Sequence, residues 1–203
     1  LGFYAEFDTD AGEQILMKSG ISFTSMKNAE ENLHSEMNAW EFDATLADCR
    51  RLWDDALSKI TVTGGTEDEK HIFYTALYHT MIDPRICSDV NGEYMGADKK
   101  AHMTDQFTKR TIFSGWDVFR SQMPLQTIIN PTLINDLLNS LVEIADQSGN
   151  EYLERWELLN AYSGCMLGNP ALSVLCDAYS KGIRSYDIDK AYRYALNTSR
   201  LFG

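Results

Sequence analysis

Phe113-Ser114-Gly115-Trp116-Asp117-Val118-Phe119-Arg120 is the stretch on which the reading of this chain turns. It sets an indole, a carboxylate and a guanidinium within five residues. On a helix, Trp116 and Arg120 stand at i and i+4 and share a face, while Asp117 and Arg120 stand at i and i+3. An aromatic ring can stack on the apolar face of a pyranose. A carboxylate can accept from neighbouring hydroxyls and a guanidinium can donate to them. The motif suits a sugar. The plainer reading is a helix start with a buried Trp and a structural Asp–Arg pair, and these residues alone leave both open.

Helical patterns surround this stretch. Upstream, Phe42, Leu46, Cys49, Trp53 and Leu57 recur at three or four residues and mark one apolar face. Thr66 and Glu69 form a capping box for a helix carrying Ile72, Phe73, Ala76, Leu77 and Met81, and Pro84 stops it. Downstream, Asn130-Pro131 predicts an N-cap with Pro at the first helical position, followed by a buried face of Ile134, Leu137, Leu138, Leu141 and Ile144. Asn169-Pro170 repeats that start, Gly182 ends the helix, and Asp187 caps a last helix through Tyr194. β signals lie elsewhere. Residues 3–7 and 14–23 read as a hairpin about the turn at 8–12, and 60–63 as a short strand. Asn91-Gly92 predicts a two-residue hairpin between 88–90 and 93–95.

The chain has 203 residues, 44% hydrophobic and 11% aromatic, enough for a core and against disorder. Its net charge of −12 argues against nucleic acid and anionic membranes, and is compatible with a neutral or cationic ligand. Cys49, Cys87, Cys165 and Cys176 lack CxxC spacing, which argues against a zinc or redox site; Cys49 and Cys176 are expected to be buried. His71 and His79 are too far apart on one helix for a metal pair, and His79 is expected in the core. No metal ligand is assigned. No apolar run is long enough to predict a membrane span. The start at Leu1 and the run to Phe202-Gly203 read as cuts from a larger protein.

Six stations in order carry a resemblance: Lys18 to Phe23, Trp40-Glu-Phe-Asp43, Phe73 to His79, Ser88 to Tyr94, Phe113 to Arg120, and Cys165-Met-Leu-Gly168. The chain resembles the calcium-dependent exo-acting α-mannosidases of glycoside hydrolase family 92. The resemblance implies a mainly α fold, part of an (α/α)6 barrel preceded by terminal strands of a β-sandwich. Residues 1–25 would be the last sandwich strands, 26–65 a linker with helices and a strand, and 66–203 the first half of the catalytic barrel. It implies Trp116, Asp117, Arg120 and Trp156 as substrate-binding residues, α-mannose-containing glycans as partners, and a secreted or periplasmic bacterial protein. Calcium is implied for the parent, with its ligands and the catalytic base outside this chain, so the piece alone is expected to be inactive.

An inverting glycosidase needs a carboxylic acid at the leaving oxygen and a carboxylate base, about 6.5–9.5 Å apart. Many members of the family read Trp-Glu-Leu-x-Gly-Asn-Glu-Thr-x-Cys-Met, with the second Glu as acid. Here residues 156–166 put Tyr162 at that position, and a phenol with its pKa near ~10 is a poor donor at neutral pH. Glu157 is the nearest carboxylate, with a structural reading as its alternative. Two consequences are open: Glu157 is the acid, or the natural leaving group needs no proton, as in mannose-1-phospho linkages. The rivals from other classes are a non-catalytic carbohydrate-binding or scaffold protein with the same helical array, and an (α/α)6 polysaccharide lyase using Tyr162 as base.

Overall fold

The computed structural model describes residues 2–201; Leu1, Phe202 and Gly203, on which the expected cut ends fall, lie outside the described residues. The described chain is mainly helical, with short strands between helices. In order these are α1 (Met26–Glu36), α2 (Phe42–Leu57), α3 (Glu67–His79), β1 (Arg85–Ile86), β2 (Glu93–Met95), β3 (Ala101–Met103), β4 (Arg110–Thr111) and β5 (Phe113–Ser114). There follow α4 (Gly115–Val118), α5 (Gln122–Ile129), α6 (Pro131–Gln147), β6 (Trp156–Leu158), β7 (Ala161–Tyr162), α7 (Pro170–Ser180) and α8 (Ile188–Leu201).

The core is built on α6. Ile134, Leu137, Leu138, Leu141 and Ile144 are all buried, as their spacing predicts. Met123 of α5, Val174 and Ala178 of α7, and Ala191 and Tyr194 of α8 close on the same cluster. The helix ends follow local chemistry. Thr66 and Glu69 form the expected capping box, with Thr66 N–H donating to Glu69 Oε2 at 2.7 Å and Glu69 N–H to Thr66 Oγ1 at 3.2 Å. Gly182 takes φ +90° at the end of α7, and Ile183 N–H returns to Ala178 O at 3.0 Å. Asp187 accepts from Lys190 N–H at 2.9 Å at the start of α8, which runs on past Tyr194 to Leu201.

The β elements depart from expectation. Residues 3–7 and 14–23 form no ladder; the turn alone forms, with Glu13 N–H donating to Asp10 O at 3.1 Å. Phe3, Tyr4, Phe7 and Met17 are exposed, and a two-stranded ribbon without a surface to pack on is marginal. Residues 60–63 are not a strand either. The Tyr74 hydroxyl donates to Ile60 O at 3.2 Å and accepts Val62 N–H at 3.4 Å, standing in for a partner strand. The Asn91-Gly92 turn forms, with Gly92 N–H donating to Asp89 O at 2.9 Å and Asp89 N–H to Glu93 O at 2.7 Å, while the ladder of β2 is with β3. Residues 88–90 are also held by α1 and by Ser22 ahead of it. Asp89 accepts from Asn28 Nδ2 at 2.9 Å, Asn32 Nδ2 at 2.8 Å and the Ser22 hydroxyl at 2.9 Å, and Val90 N–H donates to Asn32 Oδ1 at 2.9 Å.

Burial also differs. The predicted face of α2 exists, but none of its residues is buried; Trp53 meets Tyr78 of α3 at 4.6 Å between ring centroids, and Phe42 stays exposed. In α3 Leu77 is buried while Ile72 is exposed. Cys49 and Cys176 are exposed rather than buried, and His79 lies at the surface against Tyr78 rather than in the core. Periodicity shows which face of a helix is apolar, not whether a neighbour covers it.

Candidate functional site

A three-stranded antiparallel sheet, β5-β6-β7, joins the two segments that the sequence singles out. Phe113 lies opposite Glu157 and Ser114 opposite Trp156; on the far side of β6, Glu157 lies opposite Tyr162. The chain turns straight from β5 into α4, so that α4, which carries Trp116 and Asp117, lies beside β6, the strand that starts with Trp156. Gly115 makes that turn possible. A Cβ there would lie 2.5 Å from Arg155 O and 2.7 Å from the Phe113 ring.

Within the motif, the Arg120 guanidinium sits 4.3 Å from the Trp116 ring centroid, as the i, i+4 spacing predicts. Trp116 remains 36% exposed rather than buried. Among the described residues no ion pair joins Asp117 to Arg120, so the expected structural pair is not formed; Asp117 Oδ2 instead accepts from the Ser114 hydroxyl. The motif therefore presents a carboxylate and a guanidinium not consumed by each other. Trp156 is half-buried and its carbonyl accepts from Ser163 N–H and the Ser163 hydroxyl, each at 3.2 Å.

Glu157 is buried and engaged. It accepts from the Thr111 hydroxyl at 2.7 Å, Ile112 N–H at 3.0 Å and Asn160 N–H at 2.6 Å. Those donors hold a strained turn of backbone. Ile112 has φ 68°, Leu159 49° and Asn160 64°, and a β-branched residue in the left-handed region is an outlier that its surroundings must impose. The Glu157 carboxylate is a clasp across the sheet, in line with its structural reading. Tyr162 is engaged as well. Its hydroxyl accepts from Arg155 Nη2 at 2.8 Å, and its ring meets Tyr152 edge-on at 6.0 Å. The other arm of the Arg155 guanidinium donates to Met166 O, tying Tyr162 to the loop that leads into α7.

Two buried charged residues behind this sheet are not foreseen from the sequence. Lys109 is fully buried, its Nζ donating to Asn160 Oδ1 at 3.1 Å and to Arg110 O at 3.4 Å; burial pulls its pKa down. Glu154 is 3% exposed, and burial, seconded by the Glu157 charge, pushes its carboxyl up to about 7 against the opposing pull of Lys109. Its Oε2 has no hydrogen-bond partner among the described residues. The available signal was two acids at i and i+3 in Glu154-Arg-Trp-Glu157.

Trp116 lines a recess of ≈ 260 Å³ with Phe119, Leu167, Asn169, Pro170 and Ser173. Two larger recesses, ≈ 510 and ≈ 570 Å³, flank Asp89 and share no lining residue with the sheet. Among the described residues no three His, Cys, Asp or Glu side chains converge in a way that could hold a metal ion. Among the described residues no helix is long and apolar enough to cross a membrane.

A model of the glycosyl hydrolase family 92 catalytic domain matches residues 28–201. Solved structures are similar. A family GH92 alpha-mannosidase from Bacteroides thetaiotaomicron is 30% identical over 90% of this chain and 24% of that one, with TM-score 0.82. Its complex with mannoimidazole gives 31% identity over 85% of this chain and 22% of that one, with TM-score 0.80. A family GH92 inverting mannosidase from B. thetaiotaomicron VPI-5482 gives 29%, 84%, 23% and TM-score 0.77 in the same order. The chain thus spans about a quarter of the length of these structures. A search of the curated proteins found no match.

Proposed function

The chain belongs to glycosyl hydrolase family 92, and from that membership we propose that the intact protein carrying it hydrolyses terminal α-mannosides of glycans, with inversion, outside the cytoplasm. The observation that supports this reading is the β5–β6 pairing, which puts Ser114, two residues before Trp116, opposite Trp156. Trp116 and Trp156 supply apolar surface for the sugar ring, and Asp117 and Arg120 supply an acceptor and donors for its hydroxyls. Inversion is supported by the relative described as an inverting mannosidase, and mannose as substrate by the relative that binds mannoimidazole. The residues described here do not fit a calcium site, so calcium enters only as a group that residues outside this chain would hold, and no step is routed through it.

The acid step sets the finer reading. Glu157 accepts from three donors within the fold and the Tyr162 phenol is bonded to Arg155, so both are already engaged in holding the sheet and its loop. A leaving group that needs no proton resolves this. The Arg155 guanidinium beside Tyr162 favours an anionic one, as in a mannose-1-phospho linkage. The same engagement supports the second reading, a non-catalytic mannoside-binding protein. The test is mannose release by the intact protein from an aryl α-mannoside, with and without a calcium chelator. Chelator-sensitive release supports the enzyme; binding without release supports the second reading.

A further inference from the structure

We propose that Lys109 and Asn160 join in an intramolecular isopeptide bond, with Glu154 as the proton shuttle, so that the folded chain cross-links the residue ahead of β4 to the turn of the β6–β7 hairpin. The inference goes beyond the mannoside reading. It needs no ligand and concerns covalent chemistry inside the fold.

Lys109 is fully buried, an uncommon place for an amine. Its Nζ meets two neutral acceptors, Asn160 Oδ1 at 3.1 Å and Arg110 O at 3.4 Å. With no carboxylate among these partners a buried ammonium is costly, and the group relieves that cost by shedding its proton. Burial pulls its pKa down accordingly. A desolvated neutral amine is a nucleophile. Its target is in reach. Asn160 Cγ lies one carbonyl bond, about 1.23 Å, beyond Oδ1, so a swing of the lysine side chain brings Nζ over Cγ at the ~3–3.5 Å of a near-attack geometry. The amide is held in place. Asn160 Nδ2 donates to Met95 O at 2.7 Å, which fixes the amide's orientation, and Asn160 N–H donates to Glu157 Oε1 at 2.6 Å.

The step balances within the fold. The Nζ electron pair attacks Cγ, the carbonyl opens to a tetrahedral centre, and the Cγ–Nδ2 bond then breaks with loss of ammonia. Nζ enters as a neutral amine and ends as an amide N–H. The proton it gives up goes to Nδ2, which leaves as ammonia. A buried carboxyl that exists in both forms at neutral pH can carry that transfer. Glu154 is buried, its Oε2 has no hydrogen-bond partner among the described residues, and it is near enough to Lys109 to feel its charge. Its pKa of about 7 supplies both forms. Glu157 is already taken up by three donors. The product has a structural use. Leu159 and Asn160 sit at φ 49° and 64°, and the bond would pin that turn. It joins residues 51 apart in the sequence, and a cross-link over so long a loop restricts the unfolded chain.

The experiment is mass spectrometry on the intact protein after prolonged incubation at neutral pH, with Lys109→Met, Asn160→Ala and Glu154→Gln variants. Wild type should weigh one ammonia less than its sequence, and its digest should contain a branched peptide joining Lys109 to Asn160. Lys109→Met and Asn160→Ala should keep the full sequence mass, a reading that does not require them to fold. Glu154→Gln keeps both partners and nearly the same shape, and should form the bond about 100-fold more slowly or worse. Wild type at full sequence mass, with ordinary cleavage after Lys109, overturns the bond. So does an ammonia loss that maps to the Asn91-Gly92 turn as a succinimide, with no branched peptide. Bond formation in Glu154→Gln at the wild-type rate overturns the shuttle. The functional reading fails separately. Mannose release by a protein of full sequence mass removes the bond and keeps the mannosidase, and a branched peptide in a protein that releases no mannose does the reverse.

Discussion

Phe113 and Glu157 face each other across the antiparallel β5–β6 pair, and the Glu157 carboxylate also takes the N–H of Ile112, the residue just before Phe113, at 3.0 Å. One side chain thus holds the backbone that leads from β5 into the Trp116 motif. Its partner Ile112 sits at φ 68°, a conformation that costs of order 1–3 kcal/mol and persists only when imposed.

The first prediction follows from that clasp. Glu157→Ala strands the Thr111 hydroxyl and the N–H groups of Ile112 and Asn160 in the interior. Each unmet buried group costs about 1–3 kcal/mol, so thermal unfolding should show a large loss of stability. Glu157→Gln keeps two acceptor lone pairs and should lose less. A variant of Glu157 that folds with wild-type stability yet loses only the turnover of poor leaving groups would show that Glu157 is the acid and not the clasp.

The second concerns Asp117. It is bonded to Ser114 and free of Arg120, so its removal should not unravel α4. In the intact protein Asp117→Ala should lower kcat/KM for an α-mannoside by about 100-fold or more, with the melting temperature preserved. Loss of activity that tracks unfolding would leave the residue a structural role.

The third concerns Glu154. Its pKa, about 7, lies above the ordinary carboxylate value, so the folded chain binds this proton more tightly than the unfolded chain. The linked contribution to stability is fullest below the ordinary carboxylate range and falls as pH climbs toward 7. Glu154→Gln cannot ionise and escapes that fall. Melting temperatures from pH 5 to pH 8 should show the variant gaining on wild type as pH rises. Parallel curves would mean that Glu154 ionises as freely in the folded chain as in the unfolded one.

These residues also show what a sequence displays and what it hides. Helix α6 was legible because five apolar positions at helical spacing are all buried, four of them in one core cluster. Helix α2 was legible as a helix, but its exposure was not, since spacing says nothing of what covers a face. The contact of Trp116 with Arg120 followed from a local i, i+4 rule, whereas the pairing of Ser114 with Trp156 joins distant segments through strands too short to carry a period-2 signal. Lys109 and Glu154 were missed because charged residues are read as surface, and only tertiary packing makes them interior. The alternation in residues 3–23 was real in the sequence and yielded no ladder, because pairing also needs a surface to pack on.

The fourth prediction concerns Tyr162 and its partner. If the natural leaving group needs no proton, wild-type kcat/KM should depend steeply on leaving-group pKa, with mannosyl phosphates far ahead of plain mannobiosides. Restoring the carboxyl by Tyr162→Glu would ordinarily flatten that dependence. Here Arg155 Nη2 lies 2.8 Å from the Tyr162 hydroxyl, and a guanidinium so placed would hold a glutamate in its charged form. Tyr162→Glu alone should therefore gain activity on mannobiosides only toward acidic pH. Tyr162→Glu combined with Arg155→Met should gain it at neutral pH, at some cost in loop order because the bond to Met166 O is lost. Replacing Arg155 by itself should cut the preference for the phosphate substrate. The measurement is kcat/KM across leaving groups of graded pKa from pH 5 to pH 8 in all four proteins. Rapid wild-type cleavage of every mannobioside, with no dependence on leaving-group pKa, would mean that another carboxyl group donates the proton and that the phosphate preference is wrong.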